Sequence, residues 1–277
     1  LRIGLVQLTS GDLPPENIVA TTALIRLAAD QGATFVATPE VTNIVSLNRA
    51  HQQTQLHHQN DDPSLSAYVA LANELGVWLL IGSLALKSDD PDGRFVNRSF
   101  LIAPTGAITV AYDKIHMFDA EISAGETYCE SAGFRPGCKQ SLARTAVGNI
   151  GLTICYDLRF PSLFRSLARA GAQIITVPSA FSPVTGAAHW HVLLRARAIE
   201  TGCFIVAPAQ CGTHAATVGK ARKTFGHSLI VSPWGDIVAD GGATPGVTIT
   251  DVDLNAVAEA RHRIPSLSHN PVFENTP

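Results

Sequence analysis

Charge is scarce in this chain. Of its 277 residues only 16% are Asp, Glu, Lys or Arg, against about a quarter in an ordinary globular protein, while 46% are hydrophobic. That excludes an intrinsically disordered chain and leaves one able to bury a large core. Neither sign dominates: the net charge is −3, so the basic footprint of a nucleic-acid binder is missing. There are only five cysteines, at 129, 138, 155, 203 and 211. An odd number with no C-x-x-C spacing excludes a disulfide framework and a zinc ribbon. Long hydrophobic runs are absent too; the longest, Val77–Leu86, is too short to span a bilayer. No charged-then-apolar leader precedes the first strand-like segment, Arg2–Leu8. These absences predict a cytoplasmic protein with no membrane or nucleic-acid partner. No G-x-G-x-x-G follows a strand-like segment. The one P-loop-like ending, Gly219-Lys220, has His214 and Ala221 where that motif needs Gly and Ser or Thr.

What is present is a rhythm of buried strands and helices. Ile3–Leu8, Thr34–Thr38 and Val77–Leu84 read as strands separated by helical stripes at Pro15–Asp30 and Pro63–Leu75, followed by strands at Phe95–Ala103 and Ile108–Asp113. The pattern then recurs. Ser141–Val147 and Asn149–Ile154 lead to a helix at Pro161–Ala170, a strand at Gln173–Val177, a helix at Gly186–Thr201 with Trp190, Leu193, Leu194 and Ile199 on its apolar side, and a strand at Cys203–Ala209. Phe225–Ser232 and Val247–Asp253 read as closing strands and Asn255–Arg263 as a short helix. Val41–Asp62 reads as polar and irregular, a surface helix or a flap, and Ile115–Gly137 as a long loop. Two similar halves, each a sheet with helices on one face, predict an α/β fold: a four-layer α-β-β-α sandwich. No linker divides them, so 1–277 is read as one domain with an irregular tail from about 264.

Three chemically active residues fall at strand ends: Glu40, Lys114 and Cys155. A buried Cys is ordinarily a small hydrophobe, and a Glu–Lys pair ordinarily lies at a surface. Converging on a cleft, though, a thiol, a carboxylate and an ammonium perform acyl transfer: the carboxylate takes the thiol proton, and the cation stabilises the developing oxyanion. His51, His57 and His58 invite a metal reading, but adjacent histidines cannot share a helix face, so no metal site is predicted.

The segments that carry these residues resemble the nitrilase superfamily of carbon–nitrogen hydrolases. They are Pro39-Glu40, Tyr112 to Asp119, Cys129-Glu130-Ser131, Gly151 to Pro161, Ala188-His189-Trp190, Arg195 to Glu200, Phe225-Gly226-His227-Ser228 and Pro233-Trp234-Gly235. The residues after Cys155 are similar to the Nit branch, and Ala209 to His214 is similar to members of that branch that hydrolyse deaminated glutathione. The resemblance implies Cys155 as nucleophile, Glu40 as base, Lys114 and the Tyr156 N–H as oxyanion donors, and Glu130 as an accessory carboxylate. It also implies amide hydrolysis through a thioester, without cofactor, in a homodimer or higher homo-oligomer. The expected substrate is a small amide bearing a carboxylate, with Arg159, Phe181, Thr185 and His189 as substrate-binding candidates. Alternative activities are an omega-amidase acting on α-ketoglutaramate, an N-carbamoyl amide hydrolase, and a silent ligand-binding homologue. For Arg159 an ion pair with Asp157 or a neighbouring chain competes with substrate binding, and for His189 dimer packing or a place in the helix cap.

Overall fold

The computed structural model describes residues 1–123 and 126–269. In chain order the elements are β1 (Arg2–Gln7), α1 (Pro14–Asp30), β2 (Phe35–Ala37), α2 (Arg49–Gln55), α3 (Pro63–Leu75), β3 (Trp78–Leu86), β4 (Val96–Ile102), β5 (Ile108–Asp113), β6 (Asp119–Ser123), β7 (Glu126–Cys129), β8 (Ser141–Thr145), β9 (Gly148–Leu152), α4 (Pro161–Arg169), β10 (Ile174–Thr176), α5 (Pro183–Thr201), β11 (Phe204–Ala207), β12 (Cys211–Thr213), β13 (Lys223–Phe225), β14 (Leu229–Val231), β15 (Ile237–Asp240), β16 (Gly246–Asp251) and α6 (Asn255–Arg263).

Helix boundaries follow local chemistry. The Asp62 carboxylate accepts from Leu65 N at the start of α3, Pro63 occupies its first turn, and Gly76 ends it with φ +65°. The second half repeats this logic: Ser182 caps α5, Pro183 opens it, and Gly202 ends it with φ +58°. The Ser-Pro signal therefore starts α5 at Pro183, ahead of the Gly186 expected from apolar spacing.

Two six-stranded sheets result, in the orders β16-β1-β2-β3-β4-β5 and β15-β14-β11-β10-β9-β8. Each has three parallel central strands, β1-β2-β3 or β9-β10-β11, flanked by antiparallel neighbours. The halves are thus similar, as expected. The two-residue period of β1 distributes its side chains. Ile3 and Leu5 join Phe35, Leu80, Leu101, Ile150, Leu152, Ile175 and Ile205 in the core shared by both sheets. Val6 turns the other way and packs with Ile25 and Ala28 of α1 and Tyr68 and Leu71 of α3. On the second half the shared core continues to Phe164 and Leu167 of α4 and Trp190 and Leu194 of α5.

Two expectations are corrected and one alternative is decided. Ile115–Gly137 is not one irregular loop; β6 and β7 pair antiparallel within it, and a single 3-10 turn follows at Glu130–Ala132. Val41–Asp62 contains α2, capped by the Asn48 side chain. Ile199, expected on the apolar side of α5, is 54% exposed. Most of the tail expected from about 264 lies outside the described residues, at 270–277. Among the described residues no helix is long and apolar enough to cross a membrane.

Candidate active site

Glu40 follows β2, Lys114 follows β5, and Cys155 follows β9, so all three lie where strands stop. The two sheets meet there over a cavity of about 450 Å³. Each is buried, with exposures of 4%, 2% and 8%. Lys114 Nζ donates to Glu40 Oε1 at 2.9 Å and to Glu130 Oε1 and Oε2 at 2.9 and 2.8 Å. Glu40 Oε2 accepts from Ala180 N at 2.9 Å, and the Cys155 thiol hydrogen-bonds to the same carboxylate. Glu130 is held in turn by Phe118 N, 2.7 Å from Oε2.

Burial dictates who carries charge. It opposes the Glu40 anion, but Lys114 and the hydrogen bonds outweigh it and hold the carboxyl below its ordinary range. It also opposes the Lys114 cation, and Glu130, then Glu40, outweigh it and raise that pKa. The Cys155 thiol is pushed up by burial first and by Glu40 next; Lys114 and Ala180 N pull it down and lose. The resting site is therefore an ionised carboxylate accepting from a neutral thiol beside an ammonium.

Backbone strain concentrates at the same place. Cys155 has φ +49° and Val41, next to Glu40, has φ +47°. Cys155 opens a one-turn 3-10 helix, Cys155–Arg159, so the Tyr156 N–H belongs to the first turn, where no intrahelical acceptor is available. That turn is pinned by Asp157, which is fully buried. Its Oδ2 accepts from Tyr112 Oη at 2.7 Å and Ile154 N at 2.9 Å, and its Oδ1 from His116 N at 3.0 Å, with His116 Nδ1 at 2.7 Å. Asp157 is thus a support, and the alternative pairing of Arg159 with it is excluded. Arg159 instead lies over the rings of Tyr156 and Phe181 at 5.8 and 5.7 Å and faces the cavity.

Of the other residues named from the sequence, Phe181, Thr185, Glu130 and Tyr156 line the cavity. His189 does not: it is exposed on α5, with its Nδ1 3.3 Å from Arg159 Nη2, because α5 begins earlier than expected and carries it past the rim. Gln210 is buried beneath the site and donates to the Glu40 carbonyl at 3.1 Å, so the Ala209–His214 segment supports Glu40 from behind.

Sequence reasoning missed Asn97 and Arg49. Asn97 Nδ2 donates to Glu40 Oε1 at 2.9 Å and reaches Glu130 Oε1 at 3.5 Å, while its buried Oδ1 finds no partner among the described residues. Nothing in a lone Asn on β4 signals this; it requires the pairing of β4 with β5. Arg49 of α2 joins Arg159 and Arg222 in the cavity wall. Among the described residues none of these three arginines is ion-paired.

The chain is similar to known proteins over nearly its whole length. A profile described as carbon–nitrogen hydrolase matches residues 2–262. Over 270 residues the chain is 38% identical to a Homo sapiens protein named deaminated glutathione amidase, covering 96% of this chain and 81% of that one. It is similar to the crystal structure of the C. elegans NitFhit protein, with TM-score 0.88 and 34% identity, covering 97% of this chain and 64% of that chain. It is also similar to the amidase from Nesterenkonia sp. AN1, with TM-score 0.77 and 25% identity, covering 96% and 98%. A glutamate-to-glutamine mutant of that amidase shows Michael addition of acrylamide at its active-site cysteine.

Proposed function

The chain belongs to the carbon–nitrogen hydrolase family and is an amidase, and on that premise we propose that Cys155, Glu40, Lys114 and Glu130 hydrolyse the γ-amide of deaminated glutathione. The observation that carries the mechanism is the buried Cys155 thiol hydrogen-bonded to a Glu40 carboxylate that Lys114 and Ala180 N keep ionised. Glu40 takes the thiol proton as Sγ attacks the amide carbon. Lys114 and the Tyr156 N–H stabilise the oxyanion. The proton passes from Glu40 to the departing amine, leaving a thioester. Glu40 then deprotonates water, which attacks the thioester; the acid leaves, and the proton returns to Sγ. Glu130 holds Lys114 in place throughout.

The substrate reading rests on the cavity's cations. A wall with Arg49, Arg159 and Arg222 suits a ligand with more than one carboxylate. Deaminated glutathione has one at each end, whereas α-ketoglutaramate has a single one. Arg222 also keeps a buried Nε without a partner among the described residues. Both compounds release α-ketoglutarate, so one assay compares them. The expected kcat/KM is at least about tenfold higher for deaminated glutathione, roughly 1.4 kcal/mol in transition-state binding. Arg222→Ala should narrow that ratio. Equal or reversed preference overturns the assignment in favour of an omega-amidase.

The protein is also proposed to work as a homodimer in the cytoplasm. Val184, Val192 and Ile199 fall on one face of α5 and are 53%, 67% and 54% exposed, an apolar strip suited to a second copy.

A further inference from the structure

We propose that His191, His227 and Asp240 form a binding site for a divalent transition-metal ion of the zinc type, separate from the amide-hydrolysing cavity. The three come from distant stretches of chain: α5, the turn before β14, and the end of β15. Their ligand atoms all lie within 4.8 Å of one another. His227 Nδ1 is 3.0 and 3.1 Å from the two Asp240 oxygens, and His191 Nε2 is 3.4 Å from Oδ2. Two imidazoles and a carboxylate are a ligand set that zinc accepts, and tetrahedral zinc spaces such atoms at about 3.4 Å. An ion therefore fits with small adjustments of side chains already facing one point.

The residues around the cluster hold it in this arrangement. Asp240 Oδ1 accepts from Gly242 N at 2.8 Å, which fixes the carboxylate plane. His227 sits at φ +57°, one of only three non-glycine residues with positive φ among those described. Both sides of its backbone are tied: its N–H donates to Gly242 O at 2.6 Å, and its carbonyl accepts from Trp190 Nε1 at 2.8 Å. Its ring stacks on Phe225 at 4.7 Å. Two of the three strained non-glycine residues are Cys155 and the neighbour of Glu40; the third is this histidine. The side chains are 32%, 29% and 34% exposed, so an ion can enter and keep water as its fourth ligand.

The expected role is structural. The ion ties α5 to the β14–β15 hairpin, and Trp190, bonded to His227, packs at 4.8 Å against Phe181 in the cavity wall. In the absence of metal the same three groups make a hydrogen-bonded cluster, and the experiment must separate the two. The full chain, freed of metal by dialysis against chelator, is titrated with zinc by calorimetry and with cobalt by visible absorption. One equivalent is expected, with tetrahedral cobalt bands that lack a thiolate charge-transfer band. His191→Gln and Asp240→Asn should each weaken zinc binding by at least about tenfold, the loss that removing even an outer partner of a ligand carries. Zinc should raise the Tm of the wild-type chain and not that of His191→Gln, whose metal-free Tm shows whether it folds normally. Binding unchanged in both variants, cobalt bound entirely through thiolate, or no stoichiometric binding each overturns the proposal.

Discussion

The side chain that sets the chemistry is Glu40, because its charge and the neutrality of Cys155 are two sides of one balance. Were Cys155 a resting thiolate, its attack would need no proton acceptor, and Glu40→Gln would change little the rate of its alkylation by a small electrophile. With a neutral thiol, the same change removes the base, and both alkylation and kcat/KM should fall, kcat/KM by at least about 100-fold, near the lower end of general-base contributions. Alkylation rates measured beside steady-state kinetics separate these outcomes. The pH profile follows from the same directions. The acid limb should lie below 4.5, the ordinary value for a Glu, because Glu40 is held lower. No alkaline limb should appear near 9.0, the ordinary thiol value, because Cys155 is raised above it. A limb near 9.0 would assign the working proton to a freely titrating thiol. Cys155→Ala should abolish turnover and leave the unfolding curve close to wild type, since the change removes one small buried group.

Elements act on the site through how they end. The 3-10 turn Cys155–Arg159 has too few residues to hold its own geometry, and Asp157 supplies what backbone hydrogen bonding cannot. Asp157→Asn removes one acceptor oxygen and places an NH₂ against Tyr112 Oη and Ile154 N or against His116. At a fully buried position this should cost about 2–4 kcal/mol, read as a lower midpoint in urea unfolding. Turnover should fall as well, because Tyr156 N and Cys155 move with the turn. Unchanged stability would show that Tyr112 and His116 alone position it. For α5 the question is what covers its outer face. Val192→Glu places a charge in the exposed strip and should convert a dimer to monomer by light scattering. A wild-type monomer at assay concentration would exclude that assembly.

At the scale of the whole molecule, the two halves are locked where their polar segments cross. His214 is an example: it is buried, with Nδ1 2.8 Å from Ser10 O of the first half and Nε2 2.7 Å from Thr224 Oγ1. Burial, with Arg222 nearby, lowers its pKa from 6.5 to about 4. A histidine depressed on folding contributes stability that is complete above its unfolded value and is lost as pH falls through the folded one. Stability should therefore decline between pH 6.5 and about 4, by on the order of 3 kcal/mol from this group. His214→Gln, which cannot protonate, should flatten Tm against pH in that window. An unchanged slope would place acid sensitivity elsewhere.

What the sequence alone determined is whatever local pattern dictates. Apolar alternation and helical stripes placed most of the core strands and helices, and the recurrence of the same strand–helix order predicted the similarity of the halves. Glu40, Lys114 and Cys155 were legible because each is a reactive group at the end of an apolar strand. Elements stabilised mainly by distant partners were not legible. β6, β7, β12 and β13 are short and polar, and only pairing makes them strands. Asn97 and Arg49 join the site because sheet register and the placement of α2 bring them there, which no spacing along the chain encodes. The same holds for Gln210, which only the packing of the two halves brings beneath Glu40. Tertiary structure alone decided the protonation of the site: burial opposes the charges of Glu40 and Lys114, and their pairing, with Glu130 beside Lys114, keeps both charged while leaving Cys155 neutral.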